Sequence, residues 1–311
     1  MESMLQRFIR YAKINTRSDL HSDAVPTTPG QLDFLRMLEA ELKDLGLSQV
    51  RFNPVDAFVT ALLPSNLPAH QKAPAIGFIA HVDTADFNAE NIQPQVHADY
   101  DGQDIVLNPN LDLVMRVSEF PNLKHYVGQT LITTDGTTLL GADDKAGLVS
   151  ILEAVIHLLA HPDLPHGDIW LAFGPDEEIG KGAHRFQAQD FPADFAYTLD
   201  SGEVGKLEYE TFNAARVILT IDGTSVHPGT AKGLMVNALA EAAKLFARLP
   251  QDQVPELTEG HEGYYMLSSQ SGDIGQVQAT YIIRDHDKER FQARKDFFRQ
   301  IVAQQNAGYD R

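Results

Sequence analysis

The sequence contains no cysteine among its 311 residues. This absence excludes disulfide bonds, a cysteine nucleophile and any metal site built on thiolates. A metal ion bound by this chain must therefore take its ligands from histidine and carboxylate side chains.

Basic residues are also scarce, with 25 Lys and Arg against 43 Asp and Glu, and the formal net charge is −18. Nucleic acids and anionic membranes are bound through clustered Lys and Arg, so this charge argues against both as the main partner. Hydrophobic residues make up 43% of the chain and charged residues 22%, which is ordinary for a folded globular protein.

Long apolar runs are missing as well. No segment approaches the roughly 18 consecutive apolar residues of a membrane-spanning helix. The N-terminal segment carries charges throughout and has no apolar centre of the kind that marks a secretory signal. We therefore expect a cytoplasmic protein, and the length suggests about two domains.

Predicted strands and helices alternate over the first two thirds of the chain, which indicates an α/β fold. Apolar spacing predicts a helix at the N-terminus, one over residues 31–46 with Gly46 as its C-cap, and one from Asp143 to about Ala160. Strand patterns occur at 57–63, 75–83, 168–174 and 195–200, and residues 84–128 form a long polar stretch. We predict a mixed sheet flanked by helices.

The pattern changes near Gly205. Residues 207–222 alternate as a long strand, with Ala215, Val217, Leu219 and Ile221 on one side. A helix at about 236–248, a strand at 277–285 and a helix at 287–304 follow. We predict domains at 1–205 and 206–311, and the second is an α+β domain.

Polar residues stand at the predicted strand ends and at one helix start: His81, Asp83, Asp143, Asp144, Glu177, Glu178 and Asp200. Each position has an ordinary structural interpretation, as a surface turn, a helix cap, a solvated charge or the start of a turn. Ligands of open α/β sheets bind outside the carboxyl ends of the strands, where these residues converge if the fold is right. Together they supply the imidazole and oxygen ligands of a carboxylate-rich two-metal site.

The adjacent pair Glu177 and Glu178 has a specific meaning at such a site. Successive side chains on an extended backbone diverge, so that one carboxylate binds metal while its neighbour acts as general base on a metal-activated water. Asp83 lies two residues after His81 and is placed to accept the free N–H of that imidazole.

Four motifs carry a resemblance to a known family: HVDT, GADDKAG, PDEEIGKGA and VHPGTAKG. The sequence resembles, over its whole length, the di-zinc exopeptidase family that includes carboxypeptidase G and aminoacylase. The resemblance implies a zinc-exopeptidase catalytic domain with an inserted α+β lid domain. The segments TEGHEGYY and VHPGTAKGLMVNA favour, within that family, a zinc-dependent metallo-aminopeptidase that releases the N-terminal residue from tripeptides. Its partners are then small peptide substrates.

The resemblance also implies a role for each of seven residues. Two Zn²⁺ ions occupy a complete active site of this family. The implied ligands are His81 and Asp200 for one zinc, Asp143 as the bridge, and Glu178 for the other zinc. The implied catalytic residues are Glu177 as general base, Asp83 as the acid that orients His81, and His227 of the lid, which stabilises the oxyanion.

The sequence departs from the family in two places. Ser201 stands where the resemblance leads us to expect glycine. Family members also continue well beyond the position of Arg311, and the resemblance implies that this continuation holds a late histidine ligand of the zinc bound by Glu178. We therefore expect both domains to be incomplete at the C-terminus and one zinc site to lack its histidine. A truncated gene, a deliberate fragment and a split polypeptide all stay open as explanations.

Two alternative functions stay open at this point. One is another hydrolase of the family, a deacylase or a carboxypeptidase. An assay that compares hydrolysis of a tripeptide with hydrolysis of an N-acyl amino acid distinguishes it from the aminopeptidase. The other is an inactive truncated remnant that still binds metal. The sequence leaves the oligomeric state undecided.

Overall fold

A computed structural model describes residues 2–200, 202 and 204–309. The chain divides into two units, Met1–Val204 and Gly205–Arg311, and each is described by itself. The domain boundary proposed from the sequence lies one residue later than this division. Ser201, the first departure from the family pattern, lies outside the described residues.

The first unit contains the alternating helices and strands that the sequence predicted. Its helices are α1 (Met4–Ala12), α2 (Pro29–Asp44), α3 (Ala142–Ala160) and α4 (Gly182–Arg185). Its strands are β1 (Ser48–Phe52), β2 (Val59–Leu63), β3 (Ile76–His81), β4 (Gln95–His97), β5 (Ile105–Asn108), β6 (Leu113–Met115), β7 (Leu131–Thr133), β8 (Ile169–Gly174) and β9 (Phe195–Thr198). Leu45 is the C-cap of α2, and Gly46 follows it at φ +80°, so the glycine takes the left-handed position just after the cap.

The central sheet has the strand order β1-β2-β8-β3-β9. Its first two pairings, of β1 with β2 and of β2 with β8, are antiparallel, whereas β3 runs parallel to both β8 and β9. The sheet is therefore mixed, as predicted. Because β3, β8 and β9 are parallel, their carboxyl ends meet at one edge of the sheet, and the segments that follow them lie close together.

Apolar side chains cover both faces of this sheet. One face packs against α1, α2 and α3 through a core that includes Phe34, Leu38, Leu152 and Phe173. The opposite face carries a smaller cluster around Phe58, Trp170 and Phe191. The long polar stretch at 84–128 contains the short strands β4, β5 and β6. Buried Tyr100, Ile105 and Leu123 form a local core there.

The second unit is a three-stranded antiparallel sheet with two helices. Its elements are β10 (Asn213–Asp222), α5 (Ala238–Arg248), β11 (Tyr264–Gly272), β12 (Gln276–Asp285) and α6 (Lys288–Asn306). The strand order is β10-β12-β11, and the alternation predicted for β10 is present as half-buried and exposed residues in turn. Leu245, Tyr281 and Phe298 belong to the core between sheet and helices. The sequence did not predict β11.

Among the described residues, no helix combines the length and the hydropathy that a membrane crossing requires.

Asp176 anchors the loop that follows β8. Its side chain is fully buried and receives hydrogen bonds from the backbone N–H and hydroxyl of Thr27 and from Nε2 of Gln31, the last at 2.9 Å. Nη1 of Arg185 donates to the same carboxylate at 2.6 Å. The loop is thus held to the start of α2 and to α4, and the direction of the two residues after Asp176 is set by these contacts.

We expect Asp176→Ala to lower the free energy of unfolding by about 3 kcal/mol, because breaking a buried ion pair leaves an uncompensated charge. Urea unfolding of the purified chain measures the loss. Asp190→Ala is the matched control, since Asp190 pairs with Arg51 at the surface and exposed pairs contribute about 0–1 kcal/mol. Equal losses in the two variants would contradict the anchoring role.

Candidate functional site

His81 ends β3 and lies at the centre of a group of acidic side chains. Its own side chain is only 6% exposed. The ring Nε2 is 3.0 Å from Oδ1 of Asp143, 3.6 Å from Oδ1 of Asp200 and 4.0 Å from Oε2 of Glu177. Three segments that are distant in sequence therefore bring their carboxylates to one imidazole nitrogen.

Asp83 contacts the other side of the same ring. Nδ1 of His81 is 3.0 Å from the backbone oxygen of Asp83 and 3.3 Å from its Oδ1. The Asp83 carboxylate also accepts the backbone N–H of Glu177 at 2.9 Å and that of Glu178 at 3.2 Å. A single buried carboxylate thus contacts the histidine at the end of β3 and holds the loop that carries the two glutamates.

Asp143 and Asp144 do not act as ordinary helix caps. The N-cap of α3 is Gly141 at φ +75°, and both aspartates have non-helical backbone angles and a cis peptide bond between them. The Asp143 side chain is 71% exposed and points to His81, whereas the Asp144 side chain is buried. Oδ2 of Asp144 accepts the backbone N–H of His81 at 3.2 Å.

Burial and the close packing of charged groups change the pKa values at the site. Burial lowers the pKa of His81, but hydrogen bonds to Asp143, Asp200 and Asp83 together raise it above its usual value. The hydrogen bond to His81 holds the pKa of Asp143 below its usual range. Burial, reinforced by neighbouring acids, raises the pKa of Asp144 to about 8 and that of Glu178 to about 6, and it also raises the pKa of Glu177.

These donors fit a divalent metal ion. Within the described residues, two groups have ligand atoms that all lie within 4.8 Å of one another: His81, Asp144 and Asp200, and His81, Asp143 and Glu178. One imidazole with several carboxylate oxygens is a donor set that Zn²⁺ and other divalent ions accept. An added cation also offsets the burial and the repulsion among acids that raise the pKa values of Asp144, Glu177 and Glu178.

In the second group, Asp143 and Glu178 are the ligands that the resemblance implied for one zinc. His81 was expected to bind the other zinc, but it belongs to this group as well. In the first group, Asp144 stands where the sequence led us to expect Asp143. The sequence placed Asp144 among the candidate polar residues, but the family resemblance implied no individual role for it.

Lys145 of the same motif is fully buried. Its Nζ donates to the backbone oxygen of Ile14 at 2.7 Å, and burial lowers its pKa to about 7. The lysine therefore joins the start of α3 to the segment that follows α1.

His227 belongs to the second unit, where it is exposed. Its Nδ1 accepts the backbone N–H of Gly229 at 3.1 Å, so the ring caps the short turn at Pro228–Thr230. In the neutral ring the proton is then on Nε2. The role in oxyanion stabilisation that the sequence suggested stays a prediction.

Comparison with known sequences identifies close relatives. Peptidase T of Fusobacterium nucleatum subsp. nucleatum is 54% identical over 309 residues, which are 99% of this chain and 74% of that protein. Peptidase T of Bacillus licheniformis is 51% identical over 98% of this chain and 74% of that protein. Residues 209–310 match a family described as the peptidase dimerisation domain. The chain spans about three quarters of the length of these two relatives.

Solved structures share the fold. The aminopeptidase PepT of Bacillus cereus superposes with a TM-score of 0.66 at 24% identity, over 96% of this chain and 70% of that chain. A tripeptidase of Staphylococcus aureus superposes with a TM-score of 0.68 at 22% identity, over 96% of this chain and 70% of that chain. A dinuclear metal-binding M20 peptidase of Bacillus subtilis gives 0.53 at 14% identity, over 98% of this chain and 71% of that chain.

We expect Asp83→Asn to weaken Zn²⁺ binding by about 10–100-fold, the usual effect of losing a partner of a metal-binding histidine. In the variant, the amide oxygen can still accept one of the backbone N–H groups of Glu177 and Glu178, but the amide NH₂ is a donor and cannot accept the other. Calorimetric titration of the metal-free chain measures the affinity. Asp86→Asn is the control, because Asp86 is exposed and pairs with Arg17. Unchanged affinity in Asp83→Asn would refute this role.

Proposed function

This chain belongs to the peptidase T family, and we propose that it is a metal-dependent aminopeptidase that releases the N-terminal residue of a tripeptide. The observation that carries the proposal is the convergence of His81 with the carboxylates of Asp143, Glu177 and Asp200 at the carboxyl edge of the parallel strands. The 54% identity to a peptidase T supports the reaction class and the substrate class.

We propose His81, Asp143, Glu178 and Asp200 as metal ligands, with Zn²⁺ as the ion. When bound, such ions polarise a scissile carbonyl and lower the pKa of water towards about 7. Asp83 orients His81 and fixes the loop of the two glutamates through their backbone N–H groups.

Glu177 is the general base in this proposal. Its side chain is 54% exposed, so it reaches substrate and solvent, and its Oε2 is 4.0 Å from Nε2 of His81. Its raised pKa favours uptake of a proton from the attacking water and its later delivery to the leaving amine. Glu178, the adjacent residue, stays free to bind metal.

His227 is proposed to donate a hydrogen bond to the oxyanion. Its Nδ1 already accepts from the Gly229 backbone, and the neutral ring therefore has its donor at the exposed Nε2.

The comparisons do not favour the deacylase or carboxypeptidase alternative, because both sequence relatives reported above are peptidases T. Purified chain supplied with Zn²⁺ tests the proposal directly. Release of the first residue from a tripeptide, with no hydrolysis of an N-acyl amino acid, is the expected result. Absence of all hydrolysis would favour the metal-binding remnant. Cytoplasmic location stays a prediction.

We expect Glu177→Gln to reduce tripeptide hydrolysis by about 10²–10⁴-fold while the metal content stays unchanged, because a neutral amide does not accept the proton of water. Release of the free amino acid gives the rate, and elemental analysis gives the metal content. Glu119→Gln, at an exposed glutamate of the long polar stretch, is the control. Full activity of Glu177→Gln, or loss of its metal, would show that the role is misassigned.

We also expect one tightly bound Zn²⁺ per chain. Both groups of candidate ligands include His81, and Nε2 of one imidazole coordinates a single ion. Elemental analysis after extensive dialysis measures the ratio. Two retained ions per chain would mean that another donor completes the second group.

A further inference from the structure

Two histidines lie together at the C-terminal end of α3, away from the candidate site. His157 is in the last turn of the helix and His161 is its C-cap residue, and both are exposed. An α-helix rises about 1.5 Å per residue, so about 20 Å of helix separates His157 from Asp144 at the other end of α3. A ligand of this histidine pair therefore does not contact the acidic group around His81.

The two imidazole rings are neighbours because of their spacing along the chain. Residues four apart share one face of a helix, and the centroids of these rings are 4.2 Å apart with 32° between the ring planes. Two imidazole nitrogens that bind the same ion at about 2.0–2.1 Å lie roughly 3 Å from each other. Small side-chain rotations therefore direct both rings to one ion.

A hydrogen bond fixes the tautomer of His161. Its Nδ1 is 2.8 Å from the backbone oxygen of His157. A carbonyl oxygen only accepts, so the proton of the neutral ring is on Nδ1 and the lone pair is on Nε2. Metal-binding histidines are usually held in this way, with one ring N–H donated to an oxygen and the other nitrogen free for the ion.

The surroundings of the pair favour a cation. The C-terminal end of a helix carries partial negative charge, because its last carbonyl groups lack helical partners. In the part of the chain that the structure describes, no protein hydrogen bond or ion pair engages Nε2 of His161 or the ring nitrogens of His157. The nitrogens that would bind an ion are thus not occupied by another protein group.

We propose that His157 and His161 form an additional metal site, which binds a divalent transition-metal ion through two imidazole nitrogens. Imidazole suits Cu²⁺, Ni²⁺ and Zn²⁺, whereas Mg²⁺ and Ca²⁺ take oxygen ligands. Two protein ligands hold an ion less tightly than the three or four of a usual zinc site, so extensive dialysis empties this one. The site does not depend on the proposed aminopeptidase function.

Retention on immobilised Cu²⁺ tests the pair separately from the candidate site, because an ion fixed to a resin reaches exposed histidines but not the ring of His81, which is 6% exposed. Cu²⁺ binds nitrogen ligands most tightly among the first-row divalent ions. The second imidazole of a pair binds within the same molecule, so we expect His157→Gln and His161→Gln each to bind the resin about tenfold or more weakly than the unaltered chain. The imidazole concentration needed for elution measures this loss.

The double variant distinguishes a shared ion from two independent histidines. Loss of either ring destroys a shared site, so the double variant should elute with the single variants. His157→Gln keeps the hydrogen bond at the end of α3, since that bond uses the backbone oxygen of residue 157, and its loss of retention is therefore not an effect of a disturbed helix end. His125→Gln, at an exposed histidine of the long polar stretch, is the matched control and should elute with the unaltered chain.

Equilibrium dialysis against free Cu²⁺ gives the number of ions bound per chain. We expect this number to fall by one in His157→Gln and in His161→Gln and to stay the same in His125→Gln. An unchanged number in the first two variants, unchanged retention, or losses that add in the double variant would overturn the proposal.

Discussion

The buried carboxylate of Asp83 joins the two strand ends on which the candidate site depends. One of its oxygens lies 3.3 Å from the imidazole at the end of β3, and both accept backbone N–H groups of the loop after β8. The parallel alignment of β3 and β8 brings these segments to one edge, but alignment alone does not set the distance between His81 and the glutamates. The hydrogen bonds to Asp83 set it, and the contacts of Asp176 hold the same loop from the other side.

The electrostatics of the site follow from this close packing. Carboxylates of Asp143, Asp144, Glu178 and Asp200 surround one buried imidazole, and the pKa values of Asp144 and Glu178 rise as a result of burial and mutual repulsion. When the pKa of an acid is higher in the folded than in the unfolded chain, its ionised form at neutral pH lowers the free energy of unfolding. In the metal-free chain the protonated His81 offsets part of this cost, and a divalent cation offsets more of it.

The residues that lie together at the candidate site could be selected from the sequence because their signals are local. His81, Glu177 and Asp200 each follow an apolar strand pattern, and strand ends in an α/β sheet converge. Asp176 gave no such signal, since its partners Thr27 and Gln31 lie about 150 residues earlier in the chain. The strand β11 is absent from the sequence prediction for another reason. Its sequence, YYMLSSQSG, is an apolar run followed by a polar run and does not alternate, and its pairing with β12 overrides local propensity.

From the sequence alone, the two aspartates at the start of α3 could be ordinary helix caps, and the structure shows that they are not. As helix caps they would accept N–H groups of the first turn of α3. Instead, Asp144 accepts the backbone N–H of His81 from another element. Gly147, one turn later, leaves the space that Asp144 and the backbone of Leu199 occupy, because a Cβ there would overlap both. Gly147 is thus required because the segment after β9 passes close to α3. The same close approach brings Asp200 near His81.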